Sequence, residues 1–98
     1  MENYIGKKCI VRCDRSGVFY GTILEKEGKQ ARIGNVRNIW YWEGAASVMQ
    51  LANEGVTNPS KCKFTVTVNE IVVEDVIQTI PCTEKAIQSI ESVEPWKR

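Results

Sequence analysis

Apolar and polar positions along the chain follow two periods, first of strands and then of helices. Residues 8–13 (Lys-Cys-Ile-Val-Arg-Cys) and 18–25 (Val-Phe-Tyr-Gly-Thr-Ile-Leu-Glu) are rich in β-branched and aromatic types. Asp14-Arg15-Ser16-Gly17 separates them, and the whole predicts a hairpin. Glu25-Lys26-Glu27-Gly28-Lys29 then offers a turn in which Gly28 can take a positive φ. Residues 30–42 predict a long returning strand, interrupted at Gly34, where a bend or bulge is expected. Three successive antiparallel strands with a bent third member form the meander of small barrels of the SH3 and Sm type, a likeness of pattern.

After Trp42 the period changes. Ala45, Val48, Met49 and Ala52 recur at helical spacing with Gly55 as a stop, which predicts a helix from near Gly44 to Glu54. Residues 53–60 hold Gly, Asn and Pro and read as a loop. Phe64, Val66 and Val68 alternate with Lys63, Thr65 and Thr67, the period of a half-buried strand. The run from Ile71 through Ile80 predicts a further strand with a bend at Glu74-Asp75, ended by Pro81. Thr83 is placed to cap a last helix carrying Ala86, Ile87 and Ile90 on one face, and Glu84 in its first turn suits the helix dipole. Residues 92–98 read as a loose tail with Trp96 as its anchor. The expected fold is one α+β domain over residues 1–98, a strongly curved or barrel-like antiparallel sheet with two short helices in the order β-β-β-α-β-β-α.

Composition bounds the function. Ninety-eight residues, 43% hydrophobic and 26% charged, make one modest core and leave little room for an enclosed catalytic cavity. No apolar run approaches the roughly 20 residues needed to cross a bilayer, and the first residues lack a secretory core, so no membrane role and a cytoplasmic location are expected. In that compartment Cys9, Cys13, Cys62 and Cys82 are expected as reduced, buried thiols. Zinc is the sharper alternative. It is disfavoured because the chain has no histidine and its Cys-x-x-x-Cys lies in a strand, where the thiols stand about 13 Å apart. No metal and no cofactor are expected.

The net charge of +1 hides an asymmetry: residues 1–40 carry eight Lys/Arg against four Asp/Glu, residues 41–98 five against eight. The first half is the candidate anion-binding half. A catalytic search finds no histidine, nucleophile elbow, Walker loop or dinucleotide fingerprint. The carboxylate pairs Glu25/Glu27 and Glu74/Asp75 sit in turns, where solvation explains them, so the protein is not expected to be an enzyme.

The strongest local signal runs from Arg37 to Ser47, Arg-Asn-Ile-Trp-Tyr-Trp-Glu-Gly-Ala-Ala-Ser. Strand alternation would put Trp40 and Trp42 on one face and Tyr41 on the other. As core fillers these indoles need no further role. As site residues they offer flat faces for stacking, with the small residues Gly44 to Ala46 and Ser47 leaving helix N–H groups open to phosphate. Arg12, Arg15, Arg32 and Arg37 would supply forked donors to such a ligand. Tyr20 and Phe19 lie on opposite strand faces, so at most one of them is expected on the core side of an ideal sheet. The expected site is therefore Arg12, Arg15, Tyr20, Arg32, Arg37, Trp40, Tyr41, Trp42 and Ser47.

Ile39-Trp-Tyr-Trp-Glu-Gly-Ala-Ala-Ser47, with Gly17-Val-Phe-Tyr-Gly-Thr22, Cys62-Lys-Phe-Thr65 and Ile80-Pro-Cys-Thr-Glu-Lys-Ala86, resembles a family of small phage and prophage proteins of uncharacterised function. The resemblance covers nearly the whole chain and brings no catalytic residues with it. It implies a phage accessory protein in a bacterial cytoplasm, of a kind that binds something of the host. The leading expectation is capture of a small anionic, phosphorylated or nucleotide-like ligand, an anti-defence sponge in its concrete form, with a homo-oligomer among the forms it can take. The alternatives are an Sm- or SH3-like nucleic-acid binder, for which the near-neutral charge is awkward, and a protein that docks on a host enzyme through its aromatics.

Overall fold

The computed structural model describes residues 4–97. The first three residues and Arg98, parts of the start and tail considered above, lie outside the described residues. The elements are β1 (Lys8–Cys13), β2 (Val18–Glu27), β3 (Gln30–Tyr41), α1 (Val48–Glu54), a 3₁₀ turn (Pro59–Lys61), β4 (Lys63–Phe64), β5 (Val68–Val73), β6 (Val76–Pro81) and α2 (Glu84–Glu91). This is the expected α+β succession. Two expected strands are cut differently: the 63–68 strand shrinks to the two residues of β4, and the 71–80 run is shared between β5 and β6. Glu74-Asp75 is a full turn between them, because Asp75 is held in it by three hydrogen bonds from the β1–β2 turn: Arg15 N–H (2.7 Å), Ser16 N–H (2.9 Å) and Ser16 Oγ (2.6 Å).

Every strand pair is antiparallel. The sheet runs β4-β3-β2-β1-β6, and β5 pairs with the first half of β3 on the edge where β4 takes the second half. The consecutive strands β5 and β6 thus stand at opposite ends of a curled sheet that does not close. Two register shifts between β2 and β3 drive the curl. At the first, Tyr20 pairs with Arg37 and Thr22 with Gly34, so Gly21 faces the extra residue in Asn35-Val36, and Asn35 takes φ 45°. Gly21 is required by close approach, since a Cβ there would lie 2.6 Å from Ile33 Cγ2 and 2.9 Å from the Gly34 carbonyl oxygen.

A curled sheet with helices outside it has two cores. Cys9, Val11, Ile23, Ile33 and Val36 fill the inside of the curl, while Ile10, Tyr20, Ile39 and Phe64 meet Leu51 of α1 and Ile90 of α2 outside it. β1 therefore has both faces buried, which explains its unbroken run Cys9-Ile10-Val11. For the same reason Phe19 and Tyr20 both pack against a core, one on each side, where at most one was expected. Thr83 caps α2 as expected, accepting from the Ala86 N–H (3.1 Å) and donating to the Asn53 carbonyl (2.6 Å). The four cysteines are free thiols, three buried and Cys82 half-buried. Among the described residues no helix is long and apolar enough to cross a membrane.

Candidate functional site

The nine expected site residues do not form one site. Arg37 is 5% exposed. Its guanidinium turns under the helical layer and donates to four backbone carbonyls: Thr65 from Nε (3.0 Å), Ile90 (3.1 Å) and Val93 (2.9 Å) from Nη1, and Phe64 from Nη2 (3.4 Å). It also lies over the Phe64 ring, 5.3 Å from the centroid. Burial pulls its pKa down, against the opposing pull of Glu91 and Tyr20. The cation suits the place because Ile90 in the last turn of α2 and Val93 just beyond it present carbonyls at the negative end of the helix dipole. Trp40 points the other way and is 65% exposed, so the expected pairing of Arg37 with Trp40 around one ligand is corrected.

The remaining expectations divide similarly. β3 ends at Tyr41 after a register irregularity at Ile39/Tyr41, so strand alternation does not reach Trp42. Trp40 and Tyr41 are both exposed, while Trp42 packs at the margin of the helix-side core with Nε1 donating to the Ala45 carbonyl (3.2 Å). The helix starts at Val48 rather than near Gly44. Ser47 is its N-cap and accepts from the Gln50 N–H, and the Gln50 side chain accepts from the Ala46 N–H (2.7 Å). Two of the N–H groups expected to meet phosphate, those of Ala46 and Gln50, are thus already engaged. Arg32 is exposed and neutralised by Glu25 (3.0 Å) and Glu70 (2.6 Å). Arg12 and Arg15 are exposed, and Arg15 donates its backbone N–H to Asp75.

Two of the nine do meet. Tyr20 and Arg37 line a cleft of about 370 Å³ with Lys8, Gly21, Thr22, Asn35, Thr67 and Glu91. Lys8 Nζ and the Tyr20 hydroxyl both donate to Glu91 Oε2, each at 2.7 Å. Lys8 and then Tyr20 hold Glu91 below the usual carboxylate range. Tyr20 is raised, first by burial and then by its bond to Glu91. The bulge delivers Asn35 to the cleft wall, and its positive φ is tolerated because asparagine visits that region more readily than most residues. Among the described residues, the side chains of Thr22, Asn35 and Thr67 make no hydrogen bond within the protein.

A second arrangement lies on the surface. Trp40 stacks on Trp96, with ring centroids 6.4 Å apart and planes 13° from parallel. Lys63 Nζ stands 5.4 Å from the Trp96 centroid. The tail is therefore not loose up to Trp96: Val93 is buried, Pro95 bridges to Phe64, and the Trp96 N–H donates to the Phe64 carbonyl (2.7 Å). Trp96 was legible as an anchor. Lys8, Asn35, Lys63 and Glu91 carried no signal beyond Asn35 following a glycine, since Lys8 and Glu91 are 83 residues apart in the chain.

No curated protein and no solved structure matches the chain. Residues 6–90, from the approach to β1 to the last turn of α2, match the model of the family described as Domain of unknown function (DUF6948), and the chain belongs to that family.

Proposed function

We propose that the protein is a non-enzymatic binding protein that sequesters a small phosphorylated or nucleotide-like ligand in the cleft between the sheet and the end of α2. The observation that carries this reading is the surplus of donors there. Lys8 gives one of its three ammonium protons to Glu91 and has two to spare, and Thr22, Asn35 and Thr67 have side-chain donors with no partner among the described residues. The carbonyls at the end of α2, which would repel an anion, are engaged by Arg37. A volume of about 370 Å³ falls at the lower end of small-molecule sites.

The setting we propose is a bacterial cytoplasm during phage infection, with the protein acting as a sponge for a nucleotide immune signal. The resemblance to phage and prophage proteins supports that setting. Isothermal titration against inorganic phosphate, mononucleotides and cyclic nucleotides tests the reading. Heat is expected with a phosphorylated member and not with the matching nucleoside. Lys8→Ala, which removes a charged donor, should weaken binding about tenfold or more. Asn35→Gly, which keeps the backbone angle and removes the amide, should weaken it less. No heat with any member, or unchanged affinity in both variants, overturns the proposal.

A further inference from the structure

We infer that the Trp40–Trp96 pair is a stacking site for an unpaired base of single-stranded nucleic acid, separate from the cleft. Two large indoles lie nearly parallel at the surface, Trp40 65% and Trp96 41% exposed. Anchoring the tail accounts for Trp96 but not for Trp40, which leaves most of its surface in water although the adjacent Ile39 is buried in the core.

The pair is held from behind. The Trp96 N–H bonds the Phe64 carbonyl, Pro95 bridges to Phe64, and Arg37 grips Val93 and Phe64. A rigid aromatic face loses little freedom when a ring settles on it. Any base can use such a face, because stacking needs only a flat π-system.

The strand, rather than a free nucleoside, follows from what surrounds the rings. The cleft described above is not lined by either indole, so an isolated ring on Trp40 would be covered on one face only. A strand adds phosphates, and Lys63 is already beside Trp96. Lys61 and Lys97, both exposed, lie on the same two segments. With a net charge of only +1 the chain as a whole attracts polyanions weakly, so the ring is expected to supply much of the binding. A duplex, whose bases already stack on one another, has no face to offer.

Fluorescence anisotropy with labelled oligothymidylate, repeated at two salt concentrations, is the test. Oligothymidylate should bind, a duplex of equal length should not, and thymidine should compete only at far higher concentration. Trp40→Ala should weaken binding at least fivefold, Trp40→Phe should recover part of the loss, and neither should lower the melting temperature much, since the ring is exposed. Lys63→Ala should also flatten the salt dependence, by roughly 0.7 in log–log slope for each phosphate no longer neutralised. Lys8→Ala should leave binding unchanged, which keeps this site distinct from the cleft. Equal affinity for duplex, thymidine binding as tightly as the strand, full affinity in Trp40→Ala, or self-association abolished by Trp40→Ala with no strand binding would each overturn the inference.

Discussion

Replacing Arg37 with methionine keeps the aliphatic stem and removes the guanidinium, and the structure allows the consequence to be worked through. Three hydrogen bonds of 2.9–3.1 Å to Thr65, Ile90 and Val93 disappear, with a longer one to Phe64. A hydrogen bond from a charged donor contributes about 1.5–3 kcal/mol, so the three short ones together amount to roughly 5–9 kcal/mol. Against this stands the cost of holding a cation out of water, several kcal/mol, which the substitution relieves. The Val93 carbonyl then lacks a donor unless water reaches it, while the Ile90 carbonyl keeps the Val93 N–H at 3.3 Å. The balance is a loss of about 3–5 kcal/mol, which is large against a total stability of about 5–15 kcal/mol for a domain of this kind. Because Arg37 ties the tail to β4, the loss should be accompanied by a change in the stack of Trp96 on Trp40. Urea unfolding would show a lower midpoint, and near-ultraviolet circular dichroism of the folded variant would show weaker coupling between the indoles. Arg37→Lys should rescue little, since one ammonium does not reproduce a planar fork aimed at separate carbonyls. A destabilisation below about 1 kcal/mol with the indole signal intact would refute the assignment of Arg37 as the staple between α2, β4 and the tail.

Hydrogen bonds from Ser16 and the Arg15 N–H hold Asp75 down to about 2 from 3.8, so its stabilising effect is present above pH 4 and is lost as pH falls towards 2. Asp75→Asn should flatten the stability profile between pH 4 and 2, and an unchanged profile in acid unfolding would count against the turn-locking role. Burial pushes Cys9 and Cys13 to about 11 and Cys82 to about 12. A thiol reagent at pH 8 should therefore label these three slowly in the folded protein and quickly in urea, and rapid native labelling of any of them would contradict the packing. Gly55 has φ 79°, and a Cβ there would lie 2.3 Å from Ser89 Cβ. Gly55→Ala should therefore cost about 1–3 kcal/mol in urea unfolding by forcing α1 from α2. Tyr20→Phe should keep the core intact and cost about 1.5–3 kcal/mol for the bond to the Glu91 carboxylate, and a Glu91 pKa left in place by NMR titration would refute that link.

Local chemistry was legible wherever its cause is local. The Asp14–Gly17 turn, the turn at Gly28, the bend near Gly34 and the Thr83 cap each depend on a few adjacent residues, and each falls where the side chains predict. The start of α1 was misread by four residues because Ala45 and Ala46 continue the helical period, whereas Ser47, with a free side-chain acceptor, sets the cap. The bend at Glu74-Asp75 was legible, but that it separates two strands was not, because Asp75 finds its donors on Arg15 and Ser16, some 60 residues away.

The candidate sites divide along the same line. By itself the chain determined that Trp40, Tyr41 and Trp42 are aromatic, that Arg37 is cationic, and that a curled antiparallel sheet would carry them. Which indole meets water, and whether a guanidinium faces solvent or four carbonyls, was decided only when residues 64, 65, 90 and 93 came together around Arg37. The reason is physical. Periodicity reports on which face a residue lies, but a sheet packed on both sides has no solvent face to which that phase can be referred. An ion's burial depends on partners that chain order keeps far apart.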